Sequence, residues 1–140
     1  MNAADMQPRS DGDPRPSLLI ADDDAVVHSA LQAQLDAEFR VVAIATNATE
    51  AVERAADHQP DAALLDVEMP EGGAREAVPQ IATRSPDTCI VILSGDESRH
   101  VVIELLNAGA MAYLRKGVPA AQISKTLTDA LKAKADQARL

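Results

Sequence analysis

The sequence is short of aromatic residues, of cysteine, of basic charge and of long apolar runs, and each shortage removes a class of protein. It has no Trp, one Phe (Phe39) and one Tyr (Tyr113), so a core must be aliphatic, built from Ala, Val, Leu and Ile. A single cysteine, Cys89, excludes an internal disulfide and a four-thiolate zinc site. It opens an apolar run and reads as a small buried hydrophobe. Lys and Arg number 13 against 22 Asp and Glu, a net charge of −9, which denies this domain the basic footprint that nucleic-acid binding requires. No apolar run approaches the roughly 18 residues of a membrane span. The opening segment MNAADMQPRSDGDPRP lacks the apolar centre of a signal peptide. The expectation is a cytoplasmic protein that contacts neither membrane nor nucleic acid.

What is present is one domain's worth of chain. A length of 140 residues suits a single domain, and a chain of that size buries roughly two-thirds of its unfolded surface. Residues 1–16 hold three Pro, scattered charge and no apolar periodicity, and read as a flexible N-terminal tail. From residue 17 to 140 the pattern is that of a folded domain with a long C-terminal helix. Short apolar runs stand at 18–21, 41–45, 62–65, 90–93 and 110–114, and runs of this length bounded by polar residues suit strands covered on both faces. Helical spacing lies between them, at about 25–38 (Val27, Leu31, Leu35), 49–56, 74–84, 97–108 and 119–138. Asp24 and either Thr46 or Asn47 read as caps, Pro119 suits a first helical turn, and Pro79 should kink or shorten the third helix. Strands alternating with helices predict an α/β fold: a five-stranded parallel sheet with helices on both faces.

In such a sheet, ligands bind beyond the carboxyl ends of the strands. Asp22, Asp23 and Asp24 follow the first run, Asp66 the third, Ser94 the fourth, and Lys116 the fifth. Each alone has a bland reading as a cap, a turn residue or a solvated charge. Their joint placement at separate strand ends does not. Converging carboxylates repel unless a cation neutralises them, and Mg²⁺ suits a site with few carboxylates that leaves positions for water and phosphate oxygens. A carboxylate can attack phosphorus to form an aspartyl phosphate, while a lysine and a hydroxyl pair with other phosphoryl oxygens.

The segments LLIADDD, PDAALLDVEMPEGG, IVILSG and AGAMAYLRKG together resemble the receiver domain of bacterial two-component response regulators. The resemblance runs from about Leu18 to the last helix and implies a (βα)5 flavodoxin-like fold. It further implies that Asp66 accepts phosphate from a sensor histidine kinase or phosphotransfer protein. Asp22, Asp23 and Asp66 would hold Mg²⁺ together with the backbone carbonyl of Glu68. Ser94 and Tyr113 match the family's hydroxyl and aromatic switch positions, and Lys116 its phosphate-pairing lysine. Gly117 stands where many receivers carry a proline, and Gly72 and Gly73 mark a mobile or tightly turned loop.

Two other readings compete. LLIADDDAV also resembles the first motif of haloacid-dehalogenase-like phosphatases, with Asp22 as nucleophile and Asp24 as acid/base. Those enzymes need another acidic strand end after the lysine, whereas Asp129 and Asp136 fall within the last predicted helix, and Asp66 would have no task. A non-phosphorylated interaction module of the same fold would have no reason to keep the acids together. The receiver reading therefore makes the chain a signalling switch rather than an enzyme. Its output could be a downstream protein or an output domain, and both a stand-alone receiver and the N-terminal part of a longer regulator fit the sequence. On the fourth predicted helix, apolar residues cover an arc of roughly 200°. With Val102, Ile103 and Leu106 on the core, Val101 and Leu105 are left as a flank for a partner or a homodimer; the alternative is that this flank packs against the last helix.

Overall fold

The structure, a computed structural model, describes residues 12–95 and 99–139. The start of the predicted fourth helix at 97 and 98, and residues 1–11 of the predicted tail, lie outside the described residues. Ten elements alternate in chain order: β1 (Ser17–Ala21), α1 (Ala25–Leu35), β2 (Arg40–Ala45), α2 (Ala48–His58), β3 (Ala62–Asp66), α3 (Gly73–Arg84), β4 (Cys89–Ser94), α4 (Arg99–Ala108), β5 (Ala112–Arg115) and α5 (Ala120–Ala138). The strands pair in parallel in the order β2-β1-β3-β4-β5. This is the flavodoxin-like order, with β3 in the middle and the switch in strand order beside it.

Side chains alternate across a strand, so each apolar run feeds two cores. Leu19, Ala21, Ala63, Leu65, Ile90 and Ile92 pack beneath α2, α3 and α4. Leu18, Ile20, Leu64, Val91, Leu93 and Leu114 pack beneath α1 and α5, with Phe39 buried among them. The α2 and α3 contribution is mostly alanine (Ala48, Ala51, Ala55, Ala74 and Ala77), so these helices sit close to the sheet without aromatic filling. Cys89 is buried, and burial pushes its thiol up to about 11, so it stays protonated and packs as a hydrophobe.

Local chemistry sets the helix starts. The Asp24 carboxylate accepts from the N–H groups of Val26 and Val27 at 2.9 and 3.4 Å, satisfying orphan donors of α1. Asn47, rather than Thr46, caps α2 by accepting from Glu50 N, and Glu50 reaches back to Thr46 N at 2.8 Å. Pro79 does not end α3, which continues to Arg84. Pro79 and Arg75 both lie on the exposed face, where water can take the carbonyl that the missing N–H leaves free. Residues 13–16, expected in the tail, are fastened. Arg15 pairs with Asp13 and donates to the Asp36 carbonyl at 2.8 Å, and Arg40 N donates to the Pro16 carbonyl at 2.9 Å.

The orientation of α4 corrects the sequence reading. Leu105, expected on the exposed flank, is 1% exposed, and Ile103, expected in the core, is 49% exposed. Val102 is buried as expected, while Val101 and Leu106 are partly buried against the same core. An apolar arc wider than the contact it must fill does not fix rotation about the helix axis. In the structure Leu105 turns onto the core and Ile103 faces solvent, while Glu104 between them pairs with Arg75 of α3 at 2.7 Å. Leu105→Ala should therefore cost about 2–5 kcal/mol of stability, and Ile103→Ala should stay within about 0.5 kcal/mol of the wild type. Urea unfolding of both variants checks this, and the opposite ranking would restore the orientation expected from sequence.

Candidate functional site

The central strand β3 ends at Asp66, which the flanking strands hold at the carboxyl edge of the sheet. Its neighbour Val67 still donates to the Leu93 carbonyl of β4 at 3.0 Å, and Asp22 N, just past β1, donates to the Ala45 carbonyl of β2 at 3.0 Å. Asp66 and Asp22 are buried, at 2% and 1% exposure, while Asp23 is exposed. One carboxylate oxygen from each of the three comes within 4.8 Å of the other two. Asp24, the fourth acid of the sequence reading, stands apart from this group as the α1 cap, which removes the acid/base that the phosphatase reading assigned to it.

Lys116 is the cation that faces these acids. Its Nζ lies 2.9 Å from Asp66 Oδ2 and 3.8 Å from Asp22 Oδ2. The first distance is a charge-assisted hydrogen bond, whereas the second is too long for one. Asp22 Oδ2 is accordingly buried without any hydrogen-bond partner, although Asp22 Oδ1 accepts from Asp24 N at 2.9 Å. Asp66 Oδ1 accepts from Glu68 N at 3.2 Å. The backbone aims the lysine, since Lys116 N donates to the Ser94 carbonyl at 2.9 Å. The Lys116–Gly117 peptide is trans and Gly117 adopts φ +93°, a left-handed turn open to glycine at little cost.

Burial lifts the Asp66 carboxyl above its ordinary value and Asp22 lifts it further, against the opposing Lys116 and Glu68 hydrogen bonds. For Lys116, burial works to lower the pKa, but the hydrogen bond to Asp66 and the charges of Asp66, Asp22 and Asp23 outweigh it and raise the value. Among the described residues the site thus sets three acids against one lysine, and a buried oxygen, Asp22 Oδ2, has no hydrogen-bond partner. That is the chemistry of a donor set for a hard divalent cation. Beside it, Asp23, Val67, Glu68 and the loop to Gly73 line an open depression of about 420 Å³. The loop is tightly turned, with Glu71, Gly72 and Gly73 all at positive φ. A Cβ at Gly73 would stand 2.4 Å from the Val67 carbonyl oxygen, which Ala74 N reaches at 3.0 Å.

Ser94, the last residue of β4, is buried, and Tyr113 on β5 is half exposed. Both line a cleft of about 290 Å³ with Arg99, Val102 and Arg115. The fold therefore brings together Asp22, Asp23, Asp66 and Lys116, and sets Ser94 and Tyr113 on one adjoining cleft. Val101 and Leu105 do not form a surface there. Sequence reasoning placed Arg99 beside the flank of the fourth helix but missed Arg115; the strand period that puts Arg115 on the same side as Tyr113 was the available signal.

This fold and this acid–lysine cluster match a known domain. The sequence model of the family described as the response regulator receiver domain covers residues 18–128. The chain is 34% identical over 109 residues to the oxygen regulatory protein NreC of Staphylococcus epidermidis, covering 76% of this chain and 50% of that protein. It is 31% identical over 116 residues to the chemotaxis protein CheY of Listeria monocytogenes, covering 82% and 98%. The solved signal receiver domain of the putative response regulator NarL from Mycobacterium tuberculosis superposes with a TM-score of 0.80 at 24% identity, over 84% of this chain and 97% of that one. The chain belongs to the receiver-domain family of two-component response regulators, the signalling switches that operate by phosphorylation. It spans about half the length of NreC and nearly all of CheY. Among the described residues no helix is long and apolar enough to cross a membrane.

The electrostatics carry a signed prediction. A carboxyl whose pKa is raised by folding favours the fold while protonated, and that contribution is lost as pH rises through its folded-state value. Asp66→Asn, which keeps the shape without the charge, should unfold several degrees higher than the wild type at pH 7 in metal-free buffer. The gap should close below the ordinary carboxylate range. Thermal melts at both pH values test this, and a lower midpoint for the variant at pH 7 would contradict the repulsion described here.

Proposed function

We propose that Asp66 is the phosphoacceptor and that the chain is switched by phosphoryl transfer from the phosphohistidine of a sensor histidine kinase or phosphotransfer protein. One observation carries the reading: Asp66 is buried at the end of the central strand, 2.9 Å from Lys116 and within the cluster formed with Asp22 and Asp23. An Asp66 carboxylate oxygen attacks phosphorus, the P–N bond to the donor imidazole breaks, and the freed imidazole takes a proton. The product is an aspartyl phosphate. Lys116 then exchanges its contact with Asp66 Oδ2 for a phosphoryl oxygen, and the Ser94 hydroxyl donates to another.

Asp22, Asp23 and Asp66, with the backbone carbonyl of Glu68, would hold Mg²⁺. The unpartnered, buried Asp22 Oδ2 supports that fit. When bound, the ion supplies the charge that lets an anionic nucleophile and an anionic phosphoryl group approach each other. Ser94 is drawn toward the phosphate, and the Tyr113 ring turns into the cleft they share. This is a two-state element biased by a local charge change. The protein works in the cytoplasm and catalyses nothing beyond its own phosphorylation and dephosphorylation. Its output passes to a downstream protein or an output domain, and not to nucleic acid through this domain.

Incubation with acetyl phosphate and Mg²⁺, followed by intact-mass measurement, tests the assignment. The wild type should gain one phosphoryl group and Asp66→Asn none. A label that persists in the variant would move the nucleophile, with Asp22 the first alternative.

A further inference from the structure

The family match begins at residue 18, yet the chain just ahead of it is built into the fold. By its own sequence α1 ends poorly. It has no basic residue in its last turn, and its C-cap, Asp36, sets a negative charge at the negative end of the helix dipole. Arg15 supplies the missing cation from outside the helix. Its guanidinium donates to the Asp36 carbonyl at 2.8 Å and stands 3.6 Å from the Asp36 carboxylate. Asp13 aims it. Arg15 Nε and Nη2 donate to the two Asp13 carboxylate oxygens at 3.0 and 2.9 Å, a bidentate fork that leaves Nη1 for the helix end. The Arg15 backbone N–H donates to the same carboxylate at 3.0 Å.

Arg40, the first residue of β2, closes the arrangement. Its N–H donates to the Pro16 carbonyl at 2.9 Å. Its Nε is buried without a hydrogen-bond partner among the described residues, 3.6 Å from Asp13 Oδ2. The Arg15 hydrogen bonds, with the charge of Arg40 beside them, hold the Asp13 carboxyl down at about 2, so it stays ionised at neutral pH. The same corner is gripped from its other side. Ser124, buried on α5, donates to the Glu38 carboxylate. Asp36, Glu38 and Arg40 are thus held in turn by the residues ahead of β1, by α5, and again by the residues ahead of β1. Between them Phe39 is buried in the core that α1 and α5 cover.

We propose that the α1–β2 corner is a coupling device, in which residues 13–16 act as a strap whose engagement sets how firmly α5 is held. With the strap engaged, Asp36 and Arg40 are fixed, and Glu38 stands where Ser124 reaches it. With the strap released, the end of α1 frays, because its terminal carbonyls lose a donor. Glu38 then loses its fixed place, and α5 loses a polar tie. The opening is local: Arg15 and Arg40 are partly exposed, and elements held by exposed polar contacts open at lower cost than the core. What happens to the segment ahead of β1 is thereby passed to the last helix, and the acid cluster takes no part.

The test is amide hydrogen exchange, followed residue by residue by nuclear magnetic resonance on the full unphosphorylated chain. Its outcome does not depend on whether Asp66 accepts phosphate. Arg15→Gln removes the cation and the fork, and the partly exposed side chain leaves the fold intact. Exchange should quicken about three- to tenfold, the range for one lost hydrogen bond. The quickening should appear at Phe39, whose N–H donates to the Leu35 carbonyl, and at the α5 amides of the turn that follows Ser124. Amides of β3 and α3 should keep their wild-type rates. Ser124→Ala should loosen the same α5 amides by itself. Adding Arg15→Gln to it should then change those amides no further, because the path through Glu38 is already cut. Unchanged α5 rates in Arg15→Gln, an equal quickening of every element, or independent effects that multiply in the double variant would each overturn the proposal.

Discussion

The ion pair between Lys116 and Asp66 crosses the carboxyl end of the sheet from β5 to β3 and opposes the charge of the acids that the strands gather there. Three carboxylates brought within 4.8 Å would repel strongly at the buried end of a sheet. One lysine at 2.9 Å from Asp66 offsets part of that cost and leaves the rest. The remainder shows in two places: the raised Asp66 carboxyl and the buried Asp22 Oδ2, which has no hydrogen-bond partner. A fold selected only for stability would replace this cluster with apolar side chains. Its place at the topological switch point of an open sheet supports the proposal that the site takes a cation and a phosphoryl group.

Much of this was legible in the sequence, because two periodicities dominate it. Apolar runs of strand length alternating with helical spacing gave the (βα)5 order. The first polar residue after each of three runs gave Asp22, Asp66 and Ser94, since a strand covered on both faces turns polar where it leaves the sheet. Lys116 lies two residues beyond Leu114, past Arg115, and was read from its place in the set. What the sequence left open was rotation and register. Nothing in VVIELL fixes which apolar residue of α4 faces inward, and the contacts that accompany the observed rotation include an ion pair to Arg75, 29 residues earlier. Likewise, nothing local says that Arg99 and Arg115, sixteen positions apart, meet at one cleft. The tail boundary shifted for a similar reason: Arg15 acts through distant Asp36, which composition alone does not reveal.

Backbone contacts tie the acid cluster to its surroundings. Lys116 N donates to the Ser94 carbonyl, so the residue that pairs with Asp66 and the residue that opens the cleft share one hydrogen bond across β4 and β5. Ser94 also lines the cleft that Tyr113 borders. On the other side, the close turn at Gly73 holds the Val67 carbonyl, and with it the start of the loop that carries Glu68. The site is thus braced by backbone on both flanks and left unbalanced in charge at its centre.

The charge imbalance is the central claim, and metal-linked stability tests it most directly. A ligand that binds only the folded state raises the unfolding midpoint in proportion to how far its concentration exceeds its dissociation constant. The midpoint should rise in MgCl₂ above its value in KCl of equal ionic strength, and Asp22→Asn should abolish that difference. Equal midpoints in the two salts for the wild type, or a Mg²⁺-specific rise that survives in Asp22→Asn, would contradict the account.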